Sequence, residues 1–412
     1  MLGTLNDAAR LTRLSTESGS DGSSPTAPDR SHRPDVVLTL MTTWNVAAKR
    51  GFSFSEDRLA LALLDENRAR RVLICDSTRN GLRKFAGTLR GRKEEAFPER
   101  SFATHHAPVR LGRPNPRSLE RIQRAYASYE RGIRDAAARQ GLDRPFVITA
   151  NPFVAGFADF SWAAPVTYYA WDDWEAYEPL QKWWPLYAQA FECLRQRRRR
   201  VVMVGEEGIR RIRPTGPYAV VPNGIDPAEW QRLPPPPAWY ADAPRPRLLY
   251  LGSLASRVDT QQLRCLASAF PTGSITLVGA LTDRAHFESV RHIPNITFHP
   301  PVTRREIPGL VAHADVGLIP HRLTRFTEAI SRPLKVYEYL AAGVPVAAVA
   351  THAGLAGLSD RVTIIEPGGD MAAAVRSALA LDPQPESDRL RFVAEHGWEE
   401  RFDALLNVAF AK

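Results

Sequence analysis

Short, unbroken apolar runs recur along this chain with longer helical patterns between them, and that rhythm restricts it to an α/β architecture. In the first half the runs are Val36 to Leu40, Val72 to Cys75, Phe146 to Thr149, Val166 to Ala170, Val201 to Val204 and Ala219 to Val221. The rhythm breaks at Pro234-Pro235-Pro236-Pro237 and at the Pro244/Pro246 pair. It restarts with Leu248 to Leu251, Ile275 to Val278, Ile296 to Phe298, Val316 to Ile319, Val346 to Val349 and Val362 to Ile365. Strands that are apolar throughout belong to parallel sheets covered on both faces. The covers are helical patterns such as Leu119 to Arg139, Gln262 to Phe270 and Met371 to Leu381. Two doubly wound, Rossmann-like domains facing across a cleft are therefore expected.

A chain of 412 residues exceeds the size at which one hydrophobic core stops growing. The expected divisions are a tail over 1–34, a first domain over 35–233, a proline-rich linker over 234–246 and a second domain over 247–397. The tail is rich in Ser, Gly, Pro, Asp and Arg and too poor in large apolar residues to offset the entropy of ordering it. Trp398, Phe402, Leu405, Leu406, Ala409 and Phe410 fall at helical spacing and mark a last helix over 398–412.

No apolar run reaches the roughly 18 to 20 residues that span a bilayer, and no apolar core with a cleavage site precedes Pro34. The expected location is the cytoplasm. Cys75, Cys193 and Cys265 lack the close pairing of zinc sites or disulfide frameworks and read as reduced packing residues. A net charge of +9 favours anionic partners without ranking them, and no recognised nucleic-acid motif accompanies it, so nucleic acid is not an expected partner.

Ligands of doubly wound sheets bind beyond the carboxyl ends of the strands, so chemistry belongs in the turns that follow them. Leu248 to Leu251 runs into the small-residue turn Gly252-Ser253-Leu254, with Arg257 further along the loop. Small residues let backbone N–H groups approach a phosphate; the same glycine also serves a plain turn with Arg257 solvated. Ile275 to Val278 ends likewise in Gly279, and Asn295 to His299 runs into Pro300, where a planar base can lie against the backbone.

The most informative stretch is Val316 to Pro320, a variable loop to Arg332, then Pro333 to Val346. Pro333 suits the first helical turn, Gly343 the position after the C-cap, and Pro345 leads into the next strand. The helix dipole disfavours a cation in the first turn, so Lys335 is well placed only if a bound anion compensates it. Glu338, three residues on, shares that helix face, where a carboxylate accepts two hydrogen bonds from a ribose diol. The alternative is an intrahelical pair between Lys335 and Glu338.

In the first half, Asp172 and Asp173 follow the run Val166 to Ala170. A carboxylate there can orient or deprotonate an acceptor hydroxyl, or it can cap a helix. Arg195 to Arg200 ends a helical pattern that contains Trp183, Trp184, Leu186, Tyr187 and Phe191. Such a face fits anionic lipid on the inner side of a membrane, a peripheral contact; the plainer reading is a solvated run that suits a helix C-terminus.

Taken in order, these segments resemble the family-4 glycosyltransferases of GT-B fold, most closely the branch associated with teichuronic acid and other cell-surface polysaccharides. The resemblance is carried by Tyr250-Leu251-Gly252 with Arg257 and Asp259, by Val278-Gly279, by Asp315 to Pro320 and by Pro333 to Pro345. In the first half it is carried by Tyr168 to Trp174 and Val221 to Asp226, and it covers most of Val36 to Ala411. It implies a nucleotide-sugar donor on the second domain, with Arg257 and Lys335 on the diphosphate beside Gly252, Ser253 and Gly279. It places Glu338 on the ribose, Leu334 and Arg332 around the same helix start, and backbone near Val302 on the base. It further implies a glycan, lipid-linked or small-molecule acceptor on the first domain, a last helix that crosses back onto that domain, and transfer with retention of configuration.

Two positions depart from the family pattern. Its second acidic residue, eight positions before the ribose-binding one, is here Ile330, with Glu328 two residues away as the replacement to consider. Its arginine directly after the first glycine is here Ser253, leaving Arg257, with Arg322, Arg325 and Arg332 as further cations of the later loop. Asp172, Asp173 and Glu328 are the catalytic candidates. No Asp-x-Asp occurs, and no His/Asp/Glu cluster has metal spacing, so the expectation is a transfer without metal or cofactor. Two rivals to glycan assembly stand beside it: tailoring of a small secondary metabolite, and, given Ile330, nucleotide-sugar binding without catalysis.

Overall fold

The computed structural model describes residues 32–65, 67–81, 94–111, 114–329, 333–350 and 354–411. Most of the expected tail, together with Ile330 and Arg332, lies outside them. The apolar runs of the first half become β1 (Val36–Thr39), β2 (Val72–Cys75), β6 (Phe146–Thr149), β7 (Val166–Ala170), β8 (Arg200–Met203) and β9 (Tyr218–Val220). One further strand of the same sheet carries no such run: β4 (Ala103–His106) pairs with β2, at the sheet edge. The sheet has seven parallel strands in the order β4-β2-β1-β6-β7-β8-β9. A small parallel ribbon joins β3 (Arg79–Asn80) to β5 (Val109–Arg110).

The second half forms β10 (Arg247–Leu251), β11 (Ser274–Val278), β12 (Ile296–His299), β13 (Val316–Ile319), β14 (Val346–Val349) and β15 (Val362–Ile365). Its sheet, also parallel, has the order β12-β11-β10-β13-β14-β15. Strand order reverses between β1 and β6 in the first sheet and between β10 and β13 in the second. These are the switch points at which doubly wound sheets open a crevice.

Each sheet is covered on both faces. Helices Leu119–Arg139, Pro152–Phe157 and Trp184–Gln196 build one core of the first domain, through residues such as Ile122, Phe153 and Tyr187. Helix Ser55–Leu63 builds the other together with the last helix, Trp398–Phe410, whose Phe402, Leu405 and Ala409 are buried among first-domain side chains. The chain thus crosses between the domains twice, and the crossings are tied together. Ile225 N–H donates to His396 O, and Trp398 N–H donates to Ile225 O, each at 2.9 Å.

The arginine run is largely committed to the fold. Arg195 donates to Ile212 O at 2.8 Å, Arg197 to Gly156 O at 3.0 Å, Arg199 to Asp159 O at 2.6 Å and Arg200 to Ala409 O at 2.8 Å. These carbonyls lie at or just beyond helix ends, where intrahelical partners run out. The cysteines differ from one another: Cys75 is a core residue, whereas Cys265 is exposed on helix Thr260–Ala269 and is not a packing residue. Among the described residues, no helix is long and apolar enough to cross a membrane.

Candidate functional site

The turn after β10 is built around two glycines. Gly252 has φ +132° and Gly279, after β11, has φ +151°, in the region that favours glycine. A Cβ on Gly279 would lie 2.0 Å from the Gly252 carbonyl oxygen, so the two turns touch backbone to backbone. A Cβ on Gly252 would lie 2.8 Å from Lys335 Nζ. Removing both side chains brings the cation against bare backbone, the arrangement that small-residue anion sites require.

Lys335 stands in the first turn of helix Leu334–Ala341, for which Pro333 is the N-cap and Gly343, at φ +76°, follows the C-cap. Pro333 therefore sits one step ahead of the first helical residue. Lys335 Nζ lies 4.0 Å from the centre of the Tyr250 ring. Burial pushes its pKa down and Arg257 adds to this, while Tyr250 and Glu338 oppose it. Burial alone would raise the Tyr250 phenol, but Lys335 and Arg257 reverse that and leave it below its ordinary value. The phenol also lies 3.3 Å from His321 Nε2, and Arg257 Nη2 donates to Ser253 O at 3.1 Å. Two cations, a buried phenol and an open glycine turn thus share the carboxyl ends of β10 and β13.

Glu338 is buried, and its ion pair is with Arg304, not with Lys335. The intrahelical pairing considered from the sequence is not what forms. Arg304 itself carries no sequence signal, because its partner lies 34 residues away. Val302, after β12, is half-buried beside the cluster that holds Leu310 and Val336. Leu334 is half-buried against the first-domain cluster that contains Phe402 and Leu405, so the helix start reaches across the cleft.

From the first domain, the loop after β7 faces this site. Asp173 accepts from Glu175 N–H at 3.0 Å and Ala176 N–H at 3.2 Å, and its other oxygen lies 3.7 Å from Arg211 Nε. It serves as the cap of its own turn. Among the described residues, Asp172 accepts one hydrogen bond, from Asp173 N–H at 2.8 Å. Burial raises the Asp172 pKa to about 7, although Arg257, from the opposite domain, pulls it down. Each acid is thus in electrostatic contact with a cation of the other domain, Asp172 with Arg257 and Asp173 with Arg325.

Glu328 is exposed on the short helix Arg325–Ala329, with Oε2 3.9 Å from Arg211 Nη2. Arg325 lies over Trp184 at 5.2 Å, and Ser256 Oγ bonds Glu178 Oε2 at 3.2 Å, so the later loops of the second domain touch the first. Asp259 caps helix Thr260–Ala269 by accepting from Gln261 and Gln262 N–H. Arg322 is exposed, and Arg332 lies outside the described residues.

Residues 245–381 match a family model described as glycosyl transferases group 1. A stretch of 99 residues, 24% of this chain, is 27% identical to TuaH of Bacillus subtilis, assigned as a glycosyltransferase of teichuronic acid biosynthesis. That match spans 25% of the relative's length. Among solved structures, the sucrose-phosphate synthase of Thermosynechococcus elongatus superposes with a TM-score of 0.64 at 14% identity, over 91% of this chain and 98% of that one. HepE of Anabaena, in complex with UDP and glucose, gives 0.59 at 14% identity, over 92% and 100%. At these identities the likeness is one of fold. The chain has the GT-B fold of two Rossmann-like domains, and the family-4 resemblance read from its sequence holds.

Proposed function

We propose that the chain is a glycosyltransferase that moves a sugar from a nucleoside-diphosphate sugar to a hydroxyl acceptor with retention of configuration, in cell-surface polysaccharide or glycan assembly. The observation that carries this reading is the convergence of Arg257 and Lys335 on the Gly252/Gly279 turn, inside the segment that matches the group 1 model. The teichuronic acid relative supports the choice of glycan assembly. UDP in the HepE structure makes it the first nucleotide to test.

In this reading the diphosphate lies on the glycine turn between Arg257 and Lys335, near Ser253. The ribose hydroxyls donate to Glu338, and the base lies along the backbone at Val302. As the bond between the donor anomeric carbon and the diphosphate oxygen breaks, negative charge grows on that oxygen. Fixed cations and backbone N–H groups stabilise it without reorganising. The acceptor oxygen bonds to the anomeric carbon from the same face, and its proton passes to the departing phosphate. Asp172 orients the acceptor by accepting from a neighbouring hydroxyl of it. No metal is assigned a role in this reading: Arg257 and Lys335 supply the charge stabilisation that a divalent ion would otherwise give.

The test is turnover. The protein is incubated with UDP-, GDP-, dTDP- and ADP-sugars and with glycan, lipid-linked and small-molecule acceptors, with and without a metal chelator. Release of nucleoside diphosphate that needs an acceptor and survives chelation supports the proposal, and the anomeric configuration of the product is read by NMR. Donor binding with no turnover on any acceptor contradicts it and leaves a nucleotide-sugar-binding protein.

A further inference from the structure

A line of partly buried ion pairs runs from the first domain to Glu338. Arg58, on helix Ser55–Leu63, donates to Asp226 Oδ2 at 3.1 Å and to Glu229 Oε1 at 2.5 Å. The other Glu229 oxygen accepts from Arg304 Nε at 2.8 Å and from Arg304 Nη2 at 2.5 Å. The remaining arm of Arg304, Nη1, bonds Glu338 Oε1. Side-chain exposure along the line is 13% for Arg58, 23% for Glu229, 11% for Arg304 and 7% for Glu338, so solvent screens it weakly. Burial would lower the Arg304 pKa, but Glu338 and Glu229 raise it well above its ordinary value.

The geometry divides the labour. A guanidinium is a rigid planar fork, and two of its arms on one Glu229 oxygen fix its plane. The third arm then holds one Glu338 oxygen in place, while Oε2 takes no hydrogen bond from any described residue. Arg304 also rests on the first domain directly, since its Cβ lies 3.1 Å from where a side chain on Gly51, at φ +67°, would begin. The carboxylate is thus gripped on one oxygen, open on the other, and braced from the opposite domain.

We propose that Arg304 is a positioning residue for Glu338, holding that carboxylate for the ribose hydroxyls of a nucleoside diphosphate, with its own orientation set from the first domain through Glu229 and Arg58. The inference rests on the reading of Glu338 given above. It makes ribose recognition depend on the contact between the domains. A side chain that touches no ligand, Arg58, therefore affects how the ribose is read.

The test is calorimetric titration of the full chain with UDP, GDP and ADP, each beside its 2′-deoxy counterpart and its monophosphate. Wild type prefers the ribose form by about tenfold, the scale of one hydrogen bond to a charged group. In Arg304→Met that preference falls to about twofold or less, while the preference for diphosphate over monophosphate, made at Lys335 and Arg257, is unchanged. Arg304→Lys keeps the charge without the fork and falls between, and Arg58→Met loses part of the preference. An Arg304→Met protein that binds the diphosphate and keeps the full ribose preference overturns the inference alone. Wild type that binds none of the diphosphates overturns both the inference and the reading of the site.

Discussion

Lys335 holds its ammonium 4.0 Å from the centre of the Tyr250 ring, across a turn that has no side chain at Gly252 to separate them. The cation stands at the wrong end of its helix for the dipole, and burial opposes its charge. The ring face and phenol of Tyr250, helped by Glu338, oppose this. Tyr250→Phe keeps the ring and removes the oxygen. It should lower stability by about 1 kcal/mol, the typical net worth of one hydrogen bond. The loss should shrink in saturating UDP, whose diphosphate supplies the missing oxygen. Urea unfolding with and without nucleotide checks both halves.

The two glycines should respond differently to alanine. At Gly279 the added carbon meets the Gly252 carbonyl at 2.0 Å, and backbone must move. Gly279→Ala should cost about 2 to 4 kcal/mol of stability, measured by urea unfolding. At Gly252 the nearest atom is the flexible end of Lys335, at 2.8 Å. Gly252→Ala should cost less stability and mainly weaken diphosphate binding by displacing the cation.

Asp172 gives a pH dependence with a definite sign. Burial places its pKa near 7, and Glu56, buried at the end of β1, is raised to about 7 as well. A carboxyl raised in the folded state contributes stability that is fully present below its ordinary range and is lost as pH rises through about 7. Thermal melts from pH 4 to 8 should therefore show a falling component that Asp172→Asn and Glu56→Gln each reduce. Transfer should run the other way if Asp172, as proposed, must be ionised to accept from a hydroxyl of the acceptor. The rate should climb with a midpoint near pH 7, and Asp172→Asn should flatten the climb and lower kcat about 100-fold.

The last helix should behave as part of the first domain's core. Leu405 is fully buried among first-domain residues such as Leu59 and Val202. Leu405→Ala should cost about 2 to 5 kcal/mol in chemical unfolding, with donor binding kept wherever the protein remains folded.

Much of the fold was legible because a strand buried on both faces must be apolar throughout, as Val72–Cys75 and Val346–Val349 are. Ala103–His106 escapes that rule, since an edge strand with a neighbour on one side tolerates two histidines. Lys335 and Gly343 were legible from local helix punctuation. Arg304 was not, because ion pairs between distant segments leave no spacing to read. Asp172 and Asp173 are identical in sequence terms, and only burial and the turn geometry make one a cap and leave the other facing Arg257. The arginine run reads as a solvated surface because nothing local shows the carbonyls of Gly156, Asp159 and Ala409 waiting for it.

In the proposed function, the carboxyl ends of β10 and β13 hold the diphosphate of a nucleotide sugar. Calorimetric titration of the purified chain with UDP-, GDP-, dTDP- and ADP-sugars, without added metal, tests it most directly when run beside Lys335→Ala and Glu338→Gln. Saturable binding of at least one donor by wild type is expected, weakened about 10- to 100-fold by each substitution, as loss of a charge-assisted hydrogen bond requires. A folded wild type that binds none of these donors, or binds one with an affinity that neither substitution changes, contradicts it.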